Sequence, residues 1–396
     1  MYKRILVLKG FSRYNVLRLA ADEMIDAFLY LGYDVTEADI ADGDYVNTFR
    51  TAFEQQYDLI FSFQALYLDL RLKDNASSFM ASLNTPVFAH IVDHPIYHSL
   101  RLAPSQGDTI HLGCIDHNHY QYIRKYYPHI KNVYYLTHGG FTPITDIPYE
   151  DRYFEVYFPS SYSKPETSII KMEALPAVYC NLAKQLTDQM LKNPLLTLQV
   201  ALDQYFERIN FECSSEEFTE IMNLMSPVDQ YIRSYTRDQL LRSILDHGIH
   251  ITVSGDGWEE FIPDEHHNLS ILSNEGLDIR DTLSIMGNSK MVLNHIPTLQ
   301  NGMHERIFST MRCGSISITN NYPIVSEEFV NHKNILLYEQ CDLQSLAESI
   351  IYYLNNTDKA KALAEEGRKT ADAAHTWYHN AKKILEIAGL DHESYN

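Results

Sequence analysis

Apolar and polar positions along this chain alternate between two rhythms. Short runs that are aliphatic or aromatic at nearly every position mark strands buried on both faces. Between these runs, apolar residues recur every three or four positions, which is the helical period. Residues 4–8 (Arg4-Ile5-Leu6-Val7-Leu8) predict a first strand, followed by Gly10 and a helical pattern through about Leu31. Gly32-Tyr33-Asp34-Val35 stops that helix and leads into a second strand. A helical stretch around residues 47–56 precedes a strand at 57–62; residues 86–92 predict a fourth, and 109–114 and 133–136 a fifth and sixth. Strands separated by helices predict parallel βαβ units in a doubly wound sheet, which binds ligands beyond the carboxyl ends of its strands. Asp93-His94-Pro95 and His138-Gly139-Gly140 both stand at such ends.

Residues 143–151, with two prolines, read as a linker, and residues 153–158 open a second sheet. From about Pro165 to His247 the pattern is almost wholly helical, with Leu182, Leu186, Met190 and Leu191 on one face. This predicts helices inserted between the first and second strands of a second domain, shaping ligand choice or an oligomer contact. Further strands follow at 248–253, 269–272, 291–293, 315–319 and 335–337. The helical period returns at 343–354 and 358–373, and a last helix is expected at 375–388.

Length and composition narrow the class. At 396 residues the chain exceeds one typical core, so two or three domains are expected. A formal charge of -20, from 32 Lys+Arg against 52 Asp+Glu, argues against nucleic acid and anionic membranes as partners. No apolar run approaches the roughly 20 residues that span a bilayer, and the N-terminal run is too short for a signal sequence. Five cysteines, odd in number and without a CxxC pair, argue against a disulfide framework or zinc site and for a cytoplasmic location. The histidine runs His111…His117-Asn118-His119 and His266-His267 lack an i, i+4 arrangement with a carboxylate, so no metal is expected there. P-loop, GxGxxG and GxSxG signatures are absent, which disfavours nucleotide hydrolysis, nicotinamide chemistry and a serine elbow.

The most telling segment is Asn301-Gly302-Met303-His304-Glu305-Arg306-Ile307-Phe308-Ser309-Thr310-Met311-Arg312-Cys313-Gly314. It is polar where it begins and apolar further in, a short helix. Ser315-Ile316-Ser317-Ile318-Thr319-Asn320-Asn321 then reads as a buried strand ending in turn residues. Unpaired N–H groups and the positive dipole end converge at such a helix start, a position that suits anions. With Ser289-Lys290-Met291-Val292-Leu293-Asn294-His295, Leu337-Tyr338, Glu366-Gly367-Arg368 and His375-Thr376-Trp377-Tyr378-His379, the segment resembles CgeB-like (spore maturation protein type) glycosyltransferases of the group 1 superfamily. The resemblance covers roughly residues 154–385; the first third matches only as a general Rossmann pattern with its two histidine loops.

That resemblance implies an α/β GT-B fold: two Rossmann-like domains facing a cleft, with the nucleotide sugar in the second and the acceptor in the first. The expected domains are residues 1–150, 151–374 (helical insertion about 165–247) and 375–396, the last a helix returning to the first domain. It implies transfer of a sugar from a nucleotide-diphosphate sugar to an unidentified acceptor, with no metal and no cofactor beyond the donor. Many group 1 enzymes carry two glutamates eight residues apart; Asn301 and Ser309 stand at those positions here, and Glu305 is the one carboxylate of the segment.

Roles follow from the chemistry. Stabilising a departing diphosphate calls for donors, here the amides of Gly302 to His304, Arg306 and Lys290. Glu305 would accept from ribose or sugar hydroxyls. Gly255 and Gly257 allow close backbone approach, Trp258 would pack near the base, and Asn294 stands with His295 at a strand end. Asp93, His94 and His138 are the candidate bases for the acceptor hydroxyl. Arg233 and Arg237, i and i+4, read as a solvated or ion-paired helix face rather than a phosphate clamp. Two rivals remain at this stage: a non-catalytic nucleotide-sugar or glycan-binding module, prompted by Asn301 and Ser309, and a nucleotide-sugar epimerase.

Overall fold

The structure, a computed structural model, describes residues 3–73, 78–105, 107–261 and 267–390. It contains two six-stranded sheets, parallel throughout. The first is ordered β2-β1-β3-β4-β5-β6, from β1 (Arg4–Lys9), β2 (Asp34–Asp39), β3 (Leu59–Phe63), β4 (Val87–Ile91), β5 (Ile110–Cys114) and β6 (Asn132–Tyr135). The second is ordered β12-β11-β10-β7-β8-β9, from β7 (Phe154–Pro159), β8 (Ile251–Ser254), β9 (Leu269–Ser273), β10 (Ser289–Leu293), β11 (Ile316–Asn320) and β12 (Leu336–Tyr338). Central strands such as β3 and β4 are buried at every position, because helices cover both faces of a parallel sheet. The edge strands β2 and β9 are half-buried or exposed at nearly every position, and on β2 the charges of Asp34, Glu37 and Asp39 discourage pairing with another chain.

The chain divides into two compact units. One comprises residues up to Phe141 together with those from Ala374 onward; the other runs Thr142–Ala373. The stretch expected as a linker therefore belongs to the second unit. Its anchors are side chains: Tyr149 is buried and donates to the Lys290 carbonyl (3.2 Å), and Thr145 donates to the Ser284 carbonyl (3.4 Å). The helical region between β7 and β8 consists of helices Pro165–Glu173, Ala177–Lys192, Leu198–Arg208, Ser215–Leu224 and Ser226–Asp246. Thr197 caps the third, and a Ser214–Glu217 capping box opens the fourth.

The helix Trp377–Ile387 completes the first unit. Trp377 is buried edge-on against Phe63 and close to His90 and Phe141, and the Asn380 amide donates to the Thr137 carbonyl at 2.8 Å. A Cβ at Gly139 would lie 2.5 Å from the Trp377 nitrogen and 2.7 Å from its ring. The close approach anticipated for the His138-Gly139-Gly140 loop is thus made by the chain itself. Gly139→Ala is expected to cost about 1–3 kcal/mol through overpacking, read as a lower urea midpoint with an unchanged m-value.

Candidate functional site

In the second sheet the strand order reverses between β7 and β10, and a crevice opens beyond the carboxyl ends of strands at such a reversal. Ser161 follows β7 and Asn294 follows β10. A guanidinium is fastened to each. Arg237, from helix Ser226–Asp246, donates to the Ser161 carbonyl, and Arg306 donates to Asn294 Oδ1 at 3.2 Å. Asn294 is held in turn by Thr319 (2.8 Å) on the neighbouring β11. Among the described residues neither arginine is ion-paired, and Arg237 Nε is buried without a hydrogen-bond partner. Burial, then repulsion from Arg233 and Arg306, pushes the Arg237 guanidinium down to about 9. Burial also lowers Arg306, opposed in part by Glu305 and Tyr157. Arg233 differs: it bonds Asp229 at 2.8 Å on its own helix.

Arg152, which is buried outright, shows what structural placement looks like. Arg152 donates to the carbonyls of Ile147, Ser289, Cys313 and Gly314 and to the Ser315 hydroxyl, at 2.7–3.2 Å. It thereby gathers carbonyls just beyond the C-terminus of helix Glu305–Arg312, where a cation suits the dipole. Arg152 is spent on the fold; Arg237 and Arg306 retain capacity for a ligand.

The N-terminus of the same helix carries His304 as its cap. His304 Nδ1 accepts the Arg306 N–H at 3.2 Å, which puts the ring proton of the neutral imidazole on Nε2. That bond uses one of the helix's opening amides, so the ring stands in for a donor that the backbone no longer offers. Glu305 is 6 % exposed and accepts from Ser309 at 2.7 Å. Burial raises its carboxyl above the ordinary glutamate range, against the pull of Arg306 and Ser309. Ser309 thus holds Glu305 rather than leaving a gap at its position.

Beneath Arg237 runs a neutral relay. The Tyr338 hydroxyl bonds His295 Nδ1 (2.7 Å), His295 Nε2 bonds Thr236 Oγ1 (2.9 Å), and Thr236 donates to the Ile232 carbonyl (2.6 Å). The last bond uses the hydroxyl proton, so His295 donates from Nε2 and accepts at Nδ1. Burial and the Arg237 charge hold its pKa well below the ordinary histidine value. His295 therefore adds no positive charge beside the two guanidiniums.

Several sequence-predicted donor contacts lie elsewhere. Trp258 is fully buried, stacked on Tyr162 (5.5 Å) and edge-on to Phe158 and Phe261, with its N–H on the Ser160 carbonyl. It is a core residue, with no face left for a base. The φ of 140° at Gly255 and 82° at Gly257 does require glycine, but the close neighbours are the backbones of Ser160 and Tyr162, 2.6 and 2.3 Å from an added Cβ. Lys290 sits near the start of β10, beside the Tyr149 anchor, at the end of the strand remote from the crevice. Gly302 is buried two residues before the cap. Arg237, expected on a solvated or ion-paired helix face, instead contributes to the crevice.

In the first unit the strand order reverses between β1 and β3. Three non-glycine residues just beyond β3 adopt left-handed backbone: Gln64 (φ 56°), Ala65 (53°) and Tyr67 (64°). Strain of this kind persists only where the surroundings hold it, and here Arg101 donates to the Gln64 carbonyl at 2.7 Å. The Gln64 amide then donates to Asp93 and accepts the Val92 N–H (3.2 Å). Asp93 is exposed, a carboxylate aimed by a strained glutamine. His94 is placed otherwise: Nδ1 accepts the Ile96 N–H (3.2 Å), so Nε2 carries the proton and cannot take another. His138 is buried against His90 and Trp377, and burial lowers it to about 3, too weak a base at neutral pH. Among the described residues no three His, Cys, Asp or Glu side chains gather as a metal-binding group; His266 lies outside them. No helix among the described residues is long and apolar enough to cross a membrane.

Arg237→Met should leave stability unchanged or raise it by up to about 2 kcal/mol, since it removes a partly buried charge that has no ion-pair partner among the described residues. Urea unfolding checks this. For Glu305 the folded pKa is raised, so its contribution is fully present below the ordinary value of 4.5 and is lost as pH rises through the folded value. Glu305→Gln removes that dependence: relative to wild type the variant should gain thermal stability from pH 4.5 upward and none below.

A family model described as glycosyl transferase-like matches residues 233–386, less than half of the chain. No curated protein matches the sequence. Solved structures do match in fold across nearly all of it. An alpha-glucosyltransferase in complex with UDP-glucose and DNA containing an abasic site is 11% identical, with TM-score 0.58 over 98% of this chain and 100% of that one. The alpha-glucosyltransferase (AGT) in complex with UDP gives 12% identity and TM-score 0.55 over 98% and 99%. Sucrose-phosphate synthase from Thermosynechococcus elongatus gives 11% and 0.54 over 97% and 98%. At such identities the likeness is one of fold: the chain has the GT-B architecture, two Rossmann-like α/β units in one polypeptide.

Proposed function

We propose that this protein is a glycosyltransferase that moves a sugar from a nucleotide-diphosphate sugar to an acceptor hydroxyl. The observation that carries the reading is the pair of partly buried guanidiniums, Arg237 and Arg306, at the carboxyl end of β7 and β10 without an ion-pair partner among the described residues. A diphosphate is the anion whose charge and span suit two such groups. The glycosyl transferase-like match over residues 233–386 takes in both arginines, and GT-B neighbours were solved with UDP or UDP-glucose.

In the reaction the bond between the anomeric carbon and the diphosphate oxygen breaks, and the acceptor oxygen forms the new bond to that carbon. The electron pair of the broken bond stays on the diphosphate, where Arg237, Arg306 and His304 Nε2–H stabilise it. The acceptor proton passes to a base, for which Asp93 is the candidate. Glu305, kept in place by Ser309, accepts from ribose or sugar hydroxyls. Because cationic side chains supply the neutralisation, the proposed transfer needs no divalent metal. The CgeB-like kinship, a hexose as the sugar and a cytoplasmic location complete the proposal.

Calorimetric titration with UDP tests the core of it. UDP should bind the wild type, and Arg237→Met or Arg306→Met should each weaken binding about 10- to 100-fold, the worth of one charge-assisted hydrogen bond. With a panel of UDP-sugars, Asp93→Asn should retain UDP affinity and lose turnover by about 10²-fold or more, while EDTA leaves turnover unchanged. Absence of nucleoside-diphosphate binding would defeat the reading.

A further inference from the structure

A cavity of about 950 Å³ lies in the second unit beside the arginine crevice, large enough for a ligand of several rings. One wall comes from the helical insertion, including Leu195, Leu196, Tyr235 and Gln239. The opposite wall comes from the segments after β10, β11 and β12, including Gln300, Asn321 and Gln340. Among the described residues no Lys or Arg lines it, and Glu339 is its one charged side chain. An anion gains nothing there, so the cavity is not a second phosphate site.

The amides on its walls are oriented by their own N–H groups. Gln340 Nε2 donates to the Thr236 carbonyl (3.1 Å), Asn321 Nδ2 to Glu339 (2.7 Å), and Gln300 Nε2 to the Pro297 carbonyl. Those partners only accept, so none of the three amides can be turned round. What remains is the carbonyl oxygen of each. Gln300 Oε1, Asn321 Oδ1 and Gln340 Oε1, with Asn320 Oδ1 beside them, are buried and have no hydrogen-bond partner among the described residues. Gln300 and Asn320 are only 2 % and 4 % exposed, so bulk water does not serve them. Four acceptors lacking donors thus belong to residues that line one cavity, and a ligand that brings donors suits those residues.

The lining also offers apolar and aromatic side chains, among them Met190, Leu195, Leu196, Pro297, Tyr235 and Tyr322. A ligand with hydroxyl donors on its rim, C–H faces and no charge fits both sets of contacts. We propose that this cavity binds a neutral carbohydrate. Resting on the glycosyltransferase reading, the bound carbohydrate is the acceptor glycan, which puts acceptor contacts in the second unit where the resemblance implied the first. Thr236 and Tyr338 line the cavity and also clasp His295, so they form a wall common to the carbohydrate and to the support of Arg237.

Cys341 offers a local readout, because it lines the cavity and is exposed. Full-length protein would be alkylated with iodoacetamide in the presence of maltohexaose, cellohexaose or chitohexaose, with each cysteine peptide followed by mass spectrometry. A bound oligosaccharide at ten times its dissociation constant should slow alkylation of Cys341 about tenfold and leave Cys180 and Cys213 unaffected. Gln340→Met and Asn321→Leu, each shown by melting and UDP titration to be folded, should abolish the protection. If none of the three oligosaccharides protects Cys341, or if protection survives both substitutions, the inference is overturned. UDP binding separates the two readings: lost protection with UDP bound defeats the cavity alone, whereas protection without UDP binding keeps a carbohydrate site and defeats its role as acceptor site.

Discussion

Two partly buried positive charges without an ion-pair partner among the described residues set the terms for the second unit. A lone desolvated guanidinium is costly, and two that repel each other cost more. The fold tolerates them because each is tied to one oxygen at the end of a central strand, because Asp229 neutralises the nearby Arg233, and because His295 adds no charge. His295 is kept neutral by the Tyr338–Thr236 relay, and burial holds the Glu305 carboxyl toward its neutral form. The overall charge of -20 makes the local excess of positive charge sharper, since carboxylates abound yet none is ion-paired to these two arginines among the described residues.

Helix Glu305–Arg312 joins this electrostatic arrangement to the architecture. Its far end is gripped by Arg152, whose five acceptors come from segments around β7, β10 and β11. Its near end presents the His304 cap and the Arg306 side chain to the crevice. One residue type therefore serves two ends of one helix in opposite ways. Where carbonyls converge, arginine is a saturated structural cation; where a strand ends, it is left with donors to spare. Hydrogen-bond accounting distinguishes the two, and burial alone does not.

The strands were legible because a parallel sheet buries both faces, so β1, β3, β4, β7 and β10 are near-continuous aliphatic or aromatic runs. The helical insertion and the last helix were legible from their period. The arginines were not. Arg233 and Arg237 share a helix face, yet Asp229 neutralises one and the other lies over the Phe158 ring (5.6 Å), a difference set by tertiary packing. Lys290 was misplaced because a strand's sequence does not say which end of it meets a ligand. The glycines around Trp258 marked close approach correctly, but the approaching group was the chain itself. For His94 and His138, composition gives candidates; capping geometry and burial decide what each ring can do with a proton.

The return of the chain to its first unit has a consequence for synthesis. Trp377 covers Phe63, His90 and Gly139, yet the ribosome delivers it only after the whole of Thr142–Ala373 has emerged. The amino-terminal half is therefore made first and closed last, with an aromatic socket open while the other half is translated. A lesion near the carboxyl end strikes the half that is distant from it in sequence.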